Sequence, residues 1–207
     1  TGNAGQLSSQ HSQNFENWFA NTPGLKVVVP SNPYDAKGLL KAAIRDNDPT
    51  IFMESEIMYG DKGLVPEKDY FLEIGKANIV KEGKDVTLVS FGKFMKIANE
   101  AANELQKEGV HVEVIDLRSV KPIDYETIIY SVKKTNRLVL LEETWPVASI
   151  SSDISHVVQR NAFDYLDAPI YRVVSKDLPL PYAPSLIEEI LPNVKKTIAA
   201  INAVMYR

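Results

Sequence analysis

His11 stands in the run Gln10-His11-Ser12-Gln13, after a polar, Gly- and Ser-rich stretch from Thr1 to Ser9. An imidazole gains or loses a proton near neutral pH. A histidine on a loop mounted ahead of a helix and a strand is therefore the first candidate for proton transfer. The same pattern suits a histidine that merely caps or packs beneath the helix that follows. A second group lies in Arg45-Asp46-Asn47-Asp48-Pro49, where a helix runs out against a proline. Its last carbonyls lack intrahelical partners and carry the negative end of the helix dipole. Together with Asp46 and Asp48 they form an oxygen-rich corner suited to a hard cation, although acidic turns after helices are usually just solvated. Glu54 and Glu56 make a third group. Carboxylates two residues apart could suggest acid–base work, but a solvated or salt-bridged role is the expected one. Gly60-Asp61-Lys62-Gly63 resembles the Gly-Asp-Gly start of a diphosphate–magnesium motif. Its middle is wrong and no asparagine pair follows at a helix start, so it reads as a turn.

The elements that must position these groups follow from hydrophobic spacing. Phe15, Trp18 and Phe19 fall at i, i+3 and i+4, one face of a short helix, and core packing is the expected use of that face. Pro23-Gly24 ends it, and Leu25 to Val29 is an apolar run with one lysine, as in a parallel strand covered on both sides. Asn32-Pro33 opens the next helix, with Asn32 as N-cap, proline at the first helical position and Asp35 in the positive first turn. Leu39, Leu40, Ala43 and Ile44 give that helix its buried stripe. Thr50 to Glu54 reads as a second strand, and ligands gather at the C-terminal ends of parallel strands.

Residues 61–75 are rich in Gly, Pro and charge, and read as a linker between a first unit, 1–60, and a second, 76–207. In the second unit, strands are expected at 76–80, 85–91, 112–117, 137–142 and 170–174. A helix carrying Phe94, Ile97, Ala98, Ala101 and Leu105 ends at Gly109, and further helices are expected at 124–134, at 149–163 and near the C-terminus. Such alternation gives the α/β class: a mostly parallel sheet with helices on both faces. His111 begins a strand, and His156 lies opposite an apolar stripe, so both read as structural or surface residues. Trp145-Pro146 is expected to pack at a strand end or a subunit contact.

Composition narrows the function classes. A chain of 207 residues can bury one large or two small cores, and 44% hydrophobic with 24% charged residues is ordinary for a globular protein. The net charge of −4, with Lys and Arg dispersed, leaves no basic footprint for nucleic acid. No apolar run approaches the ~20 residues of a membrane helix. Without cysteine there is no disulfide, thiolate metal site or thiol nucleophile, which fits a cytoplasmic location.

The run from Gln10 to Gly60, QHSQNFENWFANTPGLKVVVPSNPYDAKGLLKAAIRDNDPTIFMESEIMYG, is similar to the beta subunits of thiamine-diphosphate-dependent 2-oxo acid dehydrogenase decarboxylases, those acting on pyruvate above all. VTLVSFG, VEVIDLRSVKPID, TNRLVLLEETWP and FDYLDAPIYRVVSKDLPLPYAPSLIE resemble the C-terminal domain of that family, in the family's order. The resemblance implies the C-terminal half of a transketolase-like pyrimidine-binding domain followed by a transketolase C-terminal-like domain. A substantial part of the first domain would then precede Thr1, including the glutamate that activates the aminopyrimidine ring. It implies an α2β2 heterotetramer, with thiamine diphosphate shared with an alpha subunit that holds magnesium, and an acyltransferase core whose binding and lipoyl domains dock. His11 would line the channel beside the cofactor. A structural potassium ion would sit on Ala43, Ile44, Asp46 and Asp48 through main-chain oxygens, with Asp48 replacing a frequent asparagine. The expected activity is oxidative decarboxylation of pyruvate with acetyl transfer to lipoyl, in the cytoplasm or, in a eukaryote, the mitochondrial matrix. Branched-chain 2-oxo acid and acetoin enzymes have similar beta subunits. Transketolase and deoxyxylulose-phosphate synthase share the fold but have different loops at QHSQ. As it stands the chain could also be an assembly and docking module without catalysis.

Overall fold

A computed structural model describes residues 1–3 and 11–207. A short helix, α1 (Glu16–Ala20), leads into β1 (Lys26–Val28), α2 (Pro33–Arg45) and β2 (Thr50–Phe52). Strands β1 and β2 are parallel, with α2 as the crossover between them. Asn32 starts α2 as its side chain accepts the Asp35 N–H at 2.8 Å, and Pro33 takes the first helical position.

The second unit runs β3 (Asn78–Lys81), β4 (Val86–Ser90), α3 (Met95–Lys107), β5 (Val112–Asp116), β6 (Ser119–Lys121), α4 (Tyr125–Thr135), β7 (Leu138–Leu141), α5 (Ile150–Ala162), β8 (Tyr171–Val173), α6 (Pro184–Ile190) and α7 (Val194–Val204). Its sheet has the order β3-β5-β4-β7-β8, parallel except for β3, which runs against β5. Side-chain caps at Asp124, Ser149 and Asn193 begin α4, α5 and α7. Gly109 at φ +81° turns the chain after α3, and Asn136 at φ +60° closes α4. Among the described residues no helix is long and apolar enough to cross a membrane.

Strand β6 leaves the second sheet and pairs antiparallel with β1, so the first sheet reads β2-β1-β6. Arg118, just before it, adopts φ +60° and lends its carbonyl to the Val29 N–H at 2.8 Å. The strand therefore ties residues 76–207 to the sheet of residues 1–60. The hydrophobic core crosses the same junction: Val27, Val29 and Met53 share one buried cluster with Val89, Phe91, Ile115, Leu138 and Ile154.

The helix read from Phe15, Trp18 and Phe19 is present, but the expected burial of all three aromatics is not. Trp18 is 64% exposed while Glu16 is 2% exposed. The helix is one turn long and buries its Glu16 side against the second unit. Trp18 lies out of the core, its ring 4.6 Å from that of Phe15. His156 is exposed, as its position opposite the apolar stripe requires. Trp145 packs at a strand end and donates its indole N–H to Leu178 O at 3.0 Å.

Candidate functional site

The C-terminal ends of β1 and β2 open onto the surface from which His11 projects. Beyond β2 the chain makes a single helical turn, Glu56–Met58, which brings Glu56 across to His11. Its Oε1 is 2.8 Å from His11 Nδ1, with the two side chains 34% and 46% exposed. A carboxylate in this position fixes which ring nitrogen carries the bound proton and holds the ring plane, leaving Nε2 as the atom that exchanges protons with a third group. The two glutamates take different partners: Glu54 accepts the Tyr59 hydroxyl at 3.2 Å. The salt-bridged reading of Glu56 therefore holds, and its partner is the candidate histidine. Nothing in the residue pattern could reveal that pairing, because 45 positions separate the two. Gln10, next to His11 in the sequence motif, lies outside the described residues.

Between the strand ends and the start of α2 lies a cavity lined by Pro30, Asn32, Pro33, Ser55, Met58 and Tyr59. Ser55 is 8% exposed, and its Oγ has no hydrogen-bond partner. A buried hydroxyl without a partner costs about 1–3 kcal/mol, so this wall is set up for a polar group that enters from outside.

A buried polar cluster that the residue pattern does not announce lies where the first unit meets the second. Glu16 meets Glu142 and Glu143 from the end of β7, each 6% exposed or less. Burial above all pushes the Glu16 carboxyl up to about 8; its own backbone N–H works against the rise, and Glu143 and Glu142 add to it. Glu142 is satisfied by the Ser151 N–H at 2.8 Å, at the start of α5, and by the Thr144 hydroxyl at 2.6 Å. The available signal was the pair of acids at the C-terminal end of a strand in LLEETWP, where charged groups rarely lie without purpose.

The acidic turn after α2 is organised around Lys26. Its ammonium lies 2.6 Å from Asp46 and 3.1 Å from Asp48. That lysine holds the Asp46 carboxyl below its ordinary range and is itself held up by the two acids. Asp46 Oδ1 also accepts the Asp48 N–H at 2.9 Å, and Ala43 O accepts the Asp46 N–H at 3.3 Å. With both carboxylates engaged, a cation in this turn would have to rely on main-chain oxygens. Gly60-Asp61-Lys62-Gly63 forms a turn and open chain, with Asp61 paired to Lys96 at 2.6 Å. Among the described residues there is no group of three or more His, Asp or Glu side chains that could hold a metal ion.

Residues 75–197 match the transketolase C-terminal domain, and residues 1–62 match the transketolase pyrimidine binding domain. The chain belongs to the transketolase C-terminal domain family. Among its relatives, the pyruvate dehydrogenase E1 component subunit beta of Rhizobium meliloti is 52% identical over 100% of this chain and 45% of its own length. The subunit of the same name from Rickettsia felis is 48% identical over 99% of the chain and 63% of its own length. The Bacillus subtilis acetoin:2,6-dichlorophenolindophenol oxidoreductase subunit beta is 47% identical over 94% and 57%. The transketolase-like chain thus spans about half to two thirds of the length of these relatives. A solved structure described as a split gene transketolase, inactive beta4 tetramer, superimposes with a TM-score of 0.80 at 26% identity, covering 96% of this chain and 63% of its own. The transketolase-type fold and the α/β class expected from the sequence are therefore in place.

Proposed function

We propose that the chain is the part of a pyruvate dehydrogenase E1 beta subunit that handles protons during acyl transfer to a lipoyl group. The observation that carries this reading is the His11–Glu56 pair, 2.8 Å apart, at the C-terminal edge of the pyrimidine-binding part. It is supported by likeness along the whole chain to subunits of that name. Thiamine diphosphate, when bound, supplies the carbanion chemistry of decarboxylation. The residues present fit one side of it: the unpartnered Ser55 hydroxyl and the cavity beside it face the strand ends. In this reading an alpha subunit holds the diphosphate and its magnesium. An imidazolium at His11, held by Glu56 through Nδ1, gives its Nε2 proton to the thiolate released when the lipoyl disulfide opens. The Glu56 contact keeps the ring in place throughout.

The assembly that goes with this reading is an α2β2 heterotetramer docked on an acyltransferase core, in the cytoplasm or in a mitochondrial matrix. A potassium ion held by main-chain oxygens of Ala43, Ile44, Asp46 and Asp48 would stiffen the turn after α2, over carboxylates that Lys26 already neutralises. In the assembled enzyme, His11→Ala should slow lipoyl acylation far more than it weakens subunit assembly. Unchanged acylation kinetics would remove His11 from the mechanism. A second reading, acetoin cleavage, is favoured by the Bacillus subtilis relative. Turnover on pyruvate, branched-chain 2-oxo acids and acetoin side by side separates the two.

A further inference from the structure

Two charged residues from the second unit hold the chain at residues 1–3 and at Asn14, three positions after His11. Glu143, at the end of β7, accepts the Asn3 N–H on Oε1 at 2.7 Å and an Asn14 side-chain N–H on Oε2 at 3.3 Å. Lys93, in the turn ahead of α3, lies 2.8 Å from Glu143 and donates to Asn3 O at 2.8 Å. The two strips so held, residues 1–3 and 12–14, are also joined to each other. Gly2 N–H donates to Gln13 O at 2.9 Å, and the Thr1 hydroxyl donates to Asn14 Oδ1 at 3.0 Å. Gly2 has φ +75°, and a Cβ there would overlap Glu143 Oε2 and come within 2.8 Å of Lys93 Nζ. The strip can approach the ion pair this closely only because the residue is glycine.

The side chains of Lys93 and Glu143 are 13% and 5% exposed. A pair this buried gives up most of its hydration, and apolar replacements of the same volume are often as stable, so stability alone is a weak reason for it. What it does provide is geometry: three charge-assisted hydrogen bonds, two to the main chain of Asn3 and one from the side chain of Asn14, three residues after His11. We propose that Lys93 and Glu143 are positioning residues for His11. Through Asn3 and Asn14 they set where the imidazole stands relative to Glu56, and the second unit thereby takes part in a reaction at the edge of the first. This rests on the proton-transfer reading of His11.

The test uses the assembled enzyme with Lys93→Met, Lys93→Arg and Asn14→Ala, the last removing a single bond in case the first disturbs folding. Amide exchange of residues 1–3 and 12–14 should quicken in Lys93→Met and Asn14→Ala. The rate of lipoyl acylation should fall about tenfold or more in Lys93→Met while KM for the 2-oxo acid stays within about twofold, because displacing a reacting group slows the step without loosening substrate. Lys93→Arg, which keeps charge and donors, should recover most of the rate. Unchanged exchange in both Lys93→Met and Asn14→Ala would overturn the clasp while leaving the role of His11 intact. Faster exchange with an unaltered acylation rate, in an enzyme that His11→Ala does impair, would overturn positioning. If His11→Ala also acylates normally, the proton-transfer reading and the positioning role fall together, and exchange alone reports on the clasp.

Discussion

Burial of Glu16 favours the neutral acid over the carboxylate. Its folded value of about 8 lies well above the ordinary 4.5, first because it is buried, with Glu143 and Glu142 adding to the rise. Asp116 is pushed from 3.8 to about 7, again chiefly by burial; the Ser31 hydroxyl and the Arg118 N–H it accepts work against the rise. A raised folded value means the folded chain holds a proton that the unfolded chain has already lost. The stability these groups allow is complete below the unfolded values and falls as pH climbs through the window up to about 8. Urea midpoints of the chain should therefore drop between about pH 5 and 8, and Glu16→Gln should flatten much of that drop while stabilising the chain at pH 8. A midpoint that rises over this window would contradict the neutral-acid assignment. Glu56→Gln should lower lipoyl acylation about tenfold while leaving the fold intact, since the imidazole keeps its place but loses its charged partner. Equal acylation rates for Glu56→Gln and the parent would exclude a role for the Glu56 charge in the transfer. At this scale the sequence singled out His11 by its type and loop setting, and the structure adds the Glu56 carboxylate 2.8 Å from its Nδ1. The sequence said little about Glu16: the spacing of Phe15, Trp18 and Phe19 promises an apolar face, and only the packing shows a carboxyl on the inner side.

Elements were more legible than their partners. Asn32, Asp124, Ser149 and Gly109 mark helix starts and a helix end in the sequence, and each does so in the fold. Alternating strands and helices gave the mostly parallel sheet, with β3 the antiparallel exception. Strand β6 was not legible. Three residues, Ser119–Lys121, are too few to show a period, and the chain reads as a lead into α4. What makes the strand is tertiary: β1 offers an edge, and Arg118 turns the chain toward it and anchors on Asp35 at 2.8 Å. Asp35 is 1% exposed. Arg118→Ala would leave that carboxylate buried without its counter-charge and should cost about 3 kcal/mol, read as a shift in the denaturant midpoint. Asn32→Ala, which removes the cap of α2 and the side-chain N–H that Asp35 Oδ2 accepts at 2.7 Å but leaves the Arg118 counter-charge, should cost about 1 kcal/mol. Comparable losses from the two substitutions would mean that the Arg118 anchor does no more than a half-buried helix cap.

Residues 1–60 and 76–207, read from the sequence as two units, are continuous in packing. Strand β6 belongs to the second by position and to the first by hydrogen bonding, and Val27, Val29 and Met53 are buried in one cluster with Phe91 and Ile115. Residues 76–207 could serve as a docking module by themselves only if they stood without the rest. Cutting there removes β6's only partner strand among the described residues and strips three buried apolar side chains from a shared core. At about 1.5–3 kcal/mol for each such side chain, the loss is on the order of 5 kcal/mol, comparable with the whole stability of a small domain. Residues 76–207 alone should therefore unfold at a markedly lower urea concentration than residues 1–207 and bind a hydrophobic dye. Docking of an acyltransferase binding domain should then be seen with the longer chain and be weak or absent with the shorter. Equal midpoints and equal retention for both would show that the cores are separable and that the second unit can act by itself. The lacing of Lys93 and Glu143 to residues 1–3 and 12–14 argues for the first outcome, since those contacts too are lost by the cut.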